Sequence, residues 1–143
     1  MKIFKFGGAS VKDANGVKNI LNVLKHTGFD NTLIVVSAMG KTTNALERVV
    51  FSFFENKGQF SADLELVRIQ HHSIIKELYA AENKVITDKV NALFDGVLDF
   101  LKTTDSDDYS WVYDQVVSLG ELVSTTIISD YMQSQDIDNT WLD

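Results

Sequence analysis

A lysine and two glycines closing a short apolar run are the first residues of this chain that could do chemistry: Met1-Lys2-Ile3-Phe4-Lys5-Phe6-Gly7-Gly8. Lys5 interrupts Ile3, Phe4 and Phe6. A buried, unpaired ammonium is costly, so Lys5 must reach solvent, pair, or face a ligand. Gly7 and Gly8 free the backbone to turn sharply and bring bare N–H groups close to an anion. In open α/β sheets, ligands bind beyond the carboxyl ends of strands. With a helix opening near Val11, these residues suit a phosphate cradle. They equally suit a plain βα turn with a solvated lysine.

A second such segment is Ser37-Ala38-Met39-Gly40-Lys41-Thr42-Thr43-Asn44, directly after the β-branched run Thr32–Val36. Gly40-Lys41-Thr42 is not a P-loop, because the Walker spacing needs glycine five positions before Gly40 and Val35 stands there. What remains is a loop of small residues, hydroxyls and amides, which fits a phosphate, a polar substrate, or a simple helix cap.

A third anomaly is Gly120-Glu121 within the apolar stretch Tyr109–Met132, with Ser118, Ser124, Thr125 and Thr126 beside it. The apolar surroundings predict a buried Glu121, which then needs a cation, several donors or a ligand amine. A structural ion pair would answer equally well. Gly120 costs about 1 kcal/mol relative to Ala inside a helix, which points to close approach by another group. His71 and His72 are helix neighbours pointing about 100° apart and cannot chelate one metal as an i, i+4 pair could. They and His26 read as structural or solvated. Asp105-Ser106-Asp107-Asp108 lacks the spacing of a calcium loop and reads as a helix-capping break. No metal site is expected.

The elements that must position these residues follow from periodicity. Residues 2–6 read as a strand, Lys12 to His26 as a helix, and Thr32–Val36 as a parallel strand buried on both faces. Strand, helix, strand predicts a parallel sheet. Helices are then expected from Thr42 or Thr43, as cap, to about Asn56, and from about Ser61 with Leu64, Val67, His71, Ile74, Ile75 and Leu78 inward. A third carries Ile86, Val90, Leu93, Phe94, Val97 and Leu101. The last, Tyr109 to Met132, is apolar nearly all round and should be the most buried. Asp136 to Leu142 reads as the start of another strand.

The chain has 143 residues and a formal charge of −7, with hydrophobic residues at 45%. Such a composition is globular, and the acidic balance argues against nucleic-acid or anionic-membrane binding. With no cysteine, disulfides and thiolate metal sites are excluded. No apolar run approaches the roughly 20 residues of a membrane span, and the expected location is the cytoplasm.

Taken together, Lys5-Phe6-Gly7-Gly8-Ala9-Ser10-Val11, Val35-Val36-Ser37-Ala38-Met39-Gly40 with Thr43-Asn44, and Ser118-Leu119-Gly120-Glu121-Leu122-Val123-Ser124-Thr125 resemble, in order, three motifs of the aspartate kinases in the amino acid kinase family. The resemblance implies an α/β three-layer sandwich with a mainly parallel sheet, the carbamate kinase-like fold. It implies an ATP- and Mg2+-dependent enzyme that phosphorylates the side-chain carboxylate of L-aspartate, the first step of lysine, threonine and methionine biosynthesis. Lys5 and Ser37 would then be catalytic. Lys5, Gly7, Gly8, Ala9 and Ser10 would bind ATP, and Thr43 and Glu121 the aspartate, Glu121 meeting its α-amino group. Ala9 departs from the family's usual threonine, which puts a side-chain contact there in doubt. Residues 1–143 would be the N-terminal part of a catalytic domain, without the downstream nucleotide-binding half or regulatory ACT domains. The full-length enzyme would be a homo-oligomer, and the fragment alone inactive. A non-catalytic aspartate-binding or assembly module, and a related kinase acting on another small carboxylate, are the competing expectations.

Overall fold

The computed structural model describes residues 1–142. Two strands, β1 (Lys2–Phe6) and β2 (Thr32–Val36), pair in parallel with Lys2 opposite Thr32 and Phe6 opposite Val36. Between them runs α1 (Ala14–Thr27). The helix opens later than the apolar spacing suggests. Gly8–Val11 forms a separate 3-10 turn, and the Asp13 side chain caps α1 by accepting from the Gly16 N–H at 2.8 Å.

Five further helices follow: α2 (Thr42–Glu55), α3 (Phe60–Tyr79), α4 (Lys84–Thr103), α5 (Tyr109–Val117) and α6 (Leu119–Ser134). The expected inward face of α3 is the one buried, and α4 buries Ile86, Val90, Phe94 and Leu101, with Leu93 and Val97 partly covered. α2 packs on α3 and α5, α4 on α3 and α6, and α6 also reaches β2. No described helix is long and apolar enough to cross a membrane.

Four expectations are corrected. The strand β2 is not buried on both faces: Leu33 and Val35 are 37% and 45% exposed, while Val36 is 8% exposed. With Ile3 and Lys5 opposite them, they form a sheet face largely open to solvent, and the described residues are mainly helical with a small two-stranded parallel sheet. The predicted Tyr109–Met132 helix is two helices meeting at Ser118, whose N–H reaches the Asp114 carbonyl only at 3.5 Å. The interruption falls two residues before Gly120, the poorest helix former in the run, and burial concentrates in α6 while α5 buries only Val112 and Val116.

Residues Asp136 to Leu142 form no strand. Side chains tie this segment to α6 instead: the Ser129 hydroxyl donates to Asn139 Oδ1 at 2.6 Å, and the Trp141 indole N–H to Thr125 Oγ1 at 2.9 Å. Finally, neither Thr42 nor Thr43 caps α2 through its side chain; Lys41 holds the cap position. The Thr42 hydroxyl donates backward to the Met39 carbonyl at 2.6 Å.

Candidate functional site

The carboxyl ends of β1 and β2 are stitched together by their following loops. The Ser37 N–H donates to the Phe6 carbonyl at 3.0 Å and the Gly40 N–H to the Gly8 carbonyl at 2.9 Å. Such closeness explains Gly8, because a Cβ there would stand 2.8 Å from the Ala38 carbonyl oxygen and 3.1 Å from that of Gly40. Gly40 takes φ +55°, in the left-handed region that glycine enters without steric penalty.

The third segment closes on the same loop. The Ser124 hydroxyl, fully buried, donates to the Ser37 carbonyl at 2.8 Å. The Ala38 N–H points to Glu121 Oε1 at 3.4 Å, a long and weak contact. A Cβ on Gly120 would lie 2.8 Å from Ala38 Cβ and 3.4 Å from Thr42 Cγ2. Gly120 is therefore glycine because α6 presses its first turn onto the loop. Ala38, 4% exposed, is the residue on which all three segments meet.

Lys5 is exposed on the open sheet face, opposite Val35. It makes no hydrogen bond or ion pair among the described residues, so its ammonium is free to meet an anion. Gly7 leads into the 3-10 turn, on which Ala9 and Ser10 are exposed. Ser37 is half-buried at the end of β2, and Thr43 is half-buried in the first turn of α2.

Glu121 differs from expectation: it is exposed, in the first turn of α6 rather than the middle of a long helix. The break at Ser118 brings it to a helix start that faces the loop. Its charge therefore stays solvated and carries no burial penalty, so it needs no resident partner. A negative side chain in a first helical turn is also favoured by the helix dipole.

The remaining sequence candidates lie elsewhere. His71 is buried between α3 and α4: one ring nitrogen, Nδ1, lies 2.8 Å from the Val67 carbonyl, and the ring sits 5.8 Å from that of Phe94. Burial pushes its pKa down. His72 meets Asn91 at 2.9 Å. Asp108 caps α5 by accepting from the Trp111 N–H at 3.1 Å. Among the described residues no three His, Cys, Asp or Glu side chains stand together as a metal cage. A groove of about 540 Å³ runs along β2 beside residues 137–142, but neither Lys5, Ser37, Thr43 nor Glu121 lines it.

Sequence reasoning missed Gly16, over which the Ser10 backbone lies so close that a Cβ would collide. The available signal was Asp13 three residues earlier, a capping residue that dates the helix start and puts Gly16 in its crowded first turn.

Residues 1–143 match the model of the amino acid kinase family. Chloroplastic aspartokinase 2 of Arabidopsis thaliana is 32% identical over 141 residues, which cover 91% of this chain and 24% of the relative. Chloroplastic aspartokinase 1 of the same plant is 29% identical over 138 residues, covering 92% of this chain and 23% of the relative. The chain thus spans about a quarter of these relatives' length. In fold, it is similar to E. coli aspartokinase III in complex with aspartate and ADP, with a TM-score of 0.84 at 22% identity over 99% of this chain and 31% of that one. It is also similar to the aspartate kinase of Clostridium acetobutylicum, with a TM-score of 0.71 at 20% identity over 93% and 29%.

Proposed function

Because the chain belongs to the amino acid kinase family, we propose that it carries part of the site of an aspartate kinase. The reaction moves the γ-phosphoryl of ATP to the side-chain carboxylate of L-aspartate. A carboxylate oxygen forms the new O–P bond, the bond to ADP breaks, and 4-phospho-L-aspartate results. This acyl phosphate is the product proposed to open lysine, threonine and methionine biosynthesis.

The observation that supports this reading is the junction at Ala38, where the Gly8 turn, the Ser37–Gly40 loop and the start of α6 interlock. Phosphoryl transfer asks for positioning and charge neutralisation more than covalent chemistry. Lys5, unpaired beside that junction, is proposed to neutralise charge on the transferring phosphoryl. The N–H groups of Gly7, Gly8 and Ala9 and the Ser10 hydroxyl are proposed to lie along the ATP phosphates, the Ser10 N–H being held by the Gly7 carbonyl at 2.9 Å, with the Ser37 hydroxyl at the same group. Thr43 and Glu121 hold aspartate, the Glu121 carboxylate pairing with its α-ammonium. The relative solved with aspartate and ADP favours the same pair of ligands here. Magnesium would be carried on the nucleotide's oxygens, the usual habit of that ion, and the enzyme is proposed to work as a homo-oligomer.

Titration calorimetry with L-aspartate and with Mg-ATP tests the reading. Binding of L-aspartate over succinate, which lacks the amine, is expected. Equal affinity for the two acids would overturn the assignment of Glu121 and with it the substrate.

A further inference from the structure

We propose that Ser124 is a positioning residue that keeps the Ser37–Gly40 loop selective for anions by holding the Ser37 carbonyl oxygen inward. The proposal rests on the phosphate cradle described above. Two carbonyls of this loop are held by buried hydroxyls, and the one between them packs against the Gly8 turn. The Ser37 carbonyl accepts from the fully buried Ser124 hydroxyl at 2.8 Å. The Ala38 carbonyl lies over Gly8. The Met39 carbonyl accepts from the Thr42 hydroxyl at 2.6 Å, and Thr42 is 1% exposed. A carbonyl oxygen is the negative end of a peptide dipole and repels a phosphate, while the N–H end attracts it. Holding these carbonyls keeps their negative ends off the ligand; the Ser37, Ala38 and Gly40 N–H groups are engaged by Phe6, Glu121 and Gly8, and those of Met39 and Lys41, which have no acceptor among the described residues, remain for it.

Thr42 acts on a residue three positions away, as threonines at helix starts commonly do. Ser124 is different, because it crosses 87 positions of sequence from another helix. It is also the only fully buried side-chain hydroxyl among the described residues of α6. The other α6 hydroxyls of this stretch, Thr125 and Thr126, bond to carbonyls of their own helix. Without Ser124, the Ser37 carbonyl either stays buried without a partner or rotates toward the cradle. Both weaken an anion, the second directly.

The test uses the 143-residue chain with inorganic tripolyphosphate as probe, followed by amide NMR at Gly7, Gly8 and residues 37–41, with hydrogen exchange measured on the free chain. Ser124→Ala is expected to speed exchange at Ala38 and Gly40 and to weaken tripolyphosphate about three- to tenfold, the equivalent of one net hydrogen bond. Ser124→Cys, close in size with a weak donor, should fall between. Thr126→Ala, on the same helix but bonded within it, should match the parent in both readouts. L-aspartate affinity should change little, which a general loss of folding would not produce. If the parent binds tripolyphosphate and Ser124→Ala binds it equally well, the positioning role is overturned and the cradle stands. If the parent shows no response at these amides to tripolyphosphate or Mg-ATP, the cradle itself fails, and the proposal with it.

Discussion

A methyl group added at Gly120 would stand 2.8 Å from the Cβ of Ala38, an atom fixed to backbone that cannot swing aside. By contrast, a Cβ at Gly96, inside α4, would meet nothing within 4 Å. The two glycines lie in helices and should respond to alanine with opposite sign. At Gly96 the helix gains about 0.5–1 kcal/mol from the lower backbone entropy of the unfolded chain. At Gly120 the same gain is opposed by overpacking of about 1–3 kcal/mol. Gly96→Ala is expected to raise the urea midpoint and Gly120→Ala to lower it. Two shifts of the same sign would mean that the junction at Ala38 is looser than described.

Much of this junction is legible in the sequence, and for physical reasons. Glycines at 8 and 120 announce a sharp turn or close approach, and each is found against a neighbouring backbone or side chain; the left-handed φ of Gly40 is not announced, since its neighbours read only as a loop of small residues. The helical spacing of Leu64, Val67, His71, Ile74, Ile75 and Leu78 announces the buried face of α3. What the sequence hides is which surfaces have company. Leu33 and Val35 have the composition of a strand covered on both sides, yet stand exposed because coverage is a property of other segments. Glu121 looks buried for a similar reason. Its apolar neighbours set the mean character of the stretch, but a break at Ser118 decides that it lies at a helix start. Asp136–Leu142 has strand-like residues, but Asn139 and Trp141 find partners on α6 before any strand edge claims them.

Lys5→Ala should separate stability from function. The side chain is exposed and unpaired, so its loss should move stability by less than about 0.5 kcal/mol. Binding of Mg-ATP should weaken, and in an enzyme competent for turnover kcat should fall by about two to three decades, as for removal of one donor to developing charge. A drop in melting temperature with unchanged nucleotide affinity would assign Lys5 to the fold instead.

Glu121→Gln keeps shape and hydrogen-bonding capacity while removing charge. Since the carboxylate is exposed, its pairing with a ligand ammonium is partly screened. Loss of a charged hydrogen bond of about 1.5–3 kcal/mol predicts L-aspartate weakened by about ten- to a hundredfold. Mg-ATP affinity and thermal stability should hold, because no resident partner is lost beyond the long contact to the Ala38 N–H. Equal losses for both ligands would show that Glu121 shapes the loop rather than reading the amine.

The chain alone is not expected to turn over at the usual 1–100 per second of kinases. Lys5 lies on a sheet face with Ile3, Leu33 and Val35 open to solvent. Water there screens the charge that Lys5 would stabilise and competes as acceptor of the phosphoryl group. Coupled assay of ADP release with L-aspartate present and absent measures this. Aspartate-dependent turnover within that range would show that the open face does not limit the chemistry.

Acid should destabilise the chain through His71. Its Nδ1 lies 2.8 Å from the Val67 carbonyl, which can only accept, so Nδ1 carries the proton and Nε2 is bare. Among the described residues, Nε2 is buried without a partner. Protonating it would place a charged N–H against Phe94 with nothing to accept it, and burial accordingly lowers the pKa from its ordinary 6.5, helped by the neighbouring His72. A histidine with a lowered pKa in the fold binds its proton more readily when unfolded. The unfolded state then holds more protons below pH 6.5, so stability is full above that value and falls as pH drops through it. One such group gives a slope of at most about 1.4 kcal/mol per pH unit. Replacing His71 by Met, similar in volume and apolar, removes the titration and should flatten the slope below pH 6.5 while leaving carboxylate-driven loss near pH 4. Urea unfolding of parent and His71→Met between pH 5 and 8 makes the comparison. Parallel curves would mean that the proton finds an acceptor at His71 Nε2 through a local opening of the α3–α4 contact.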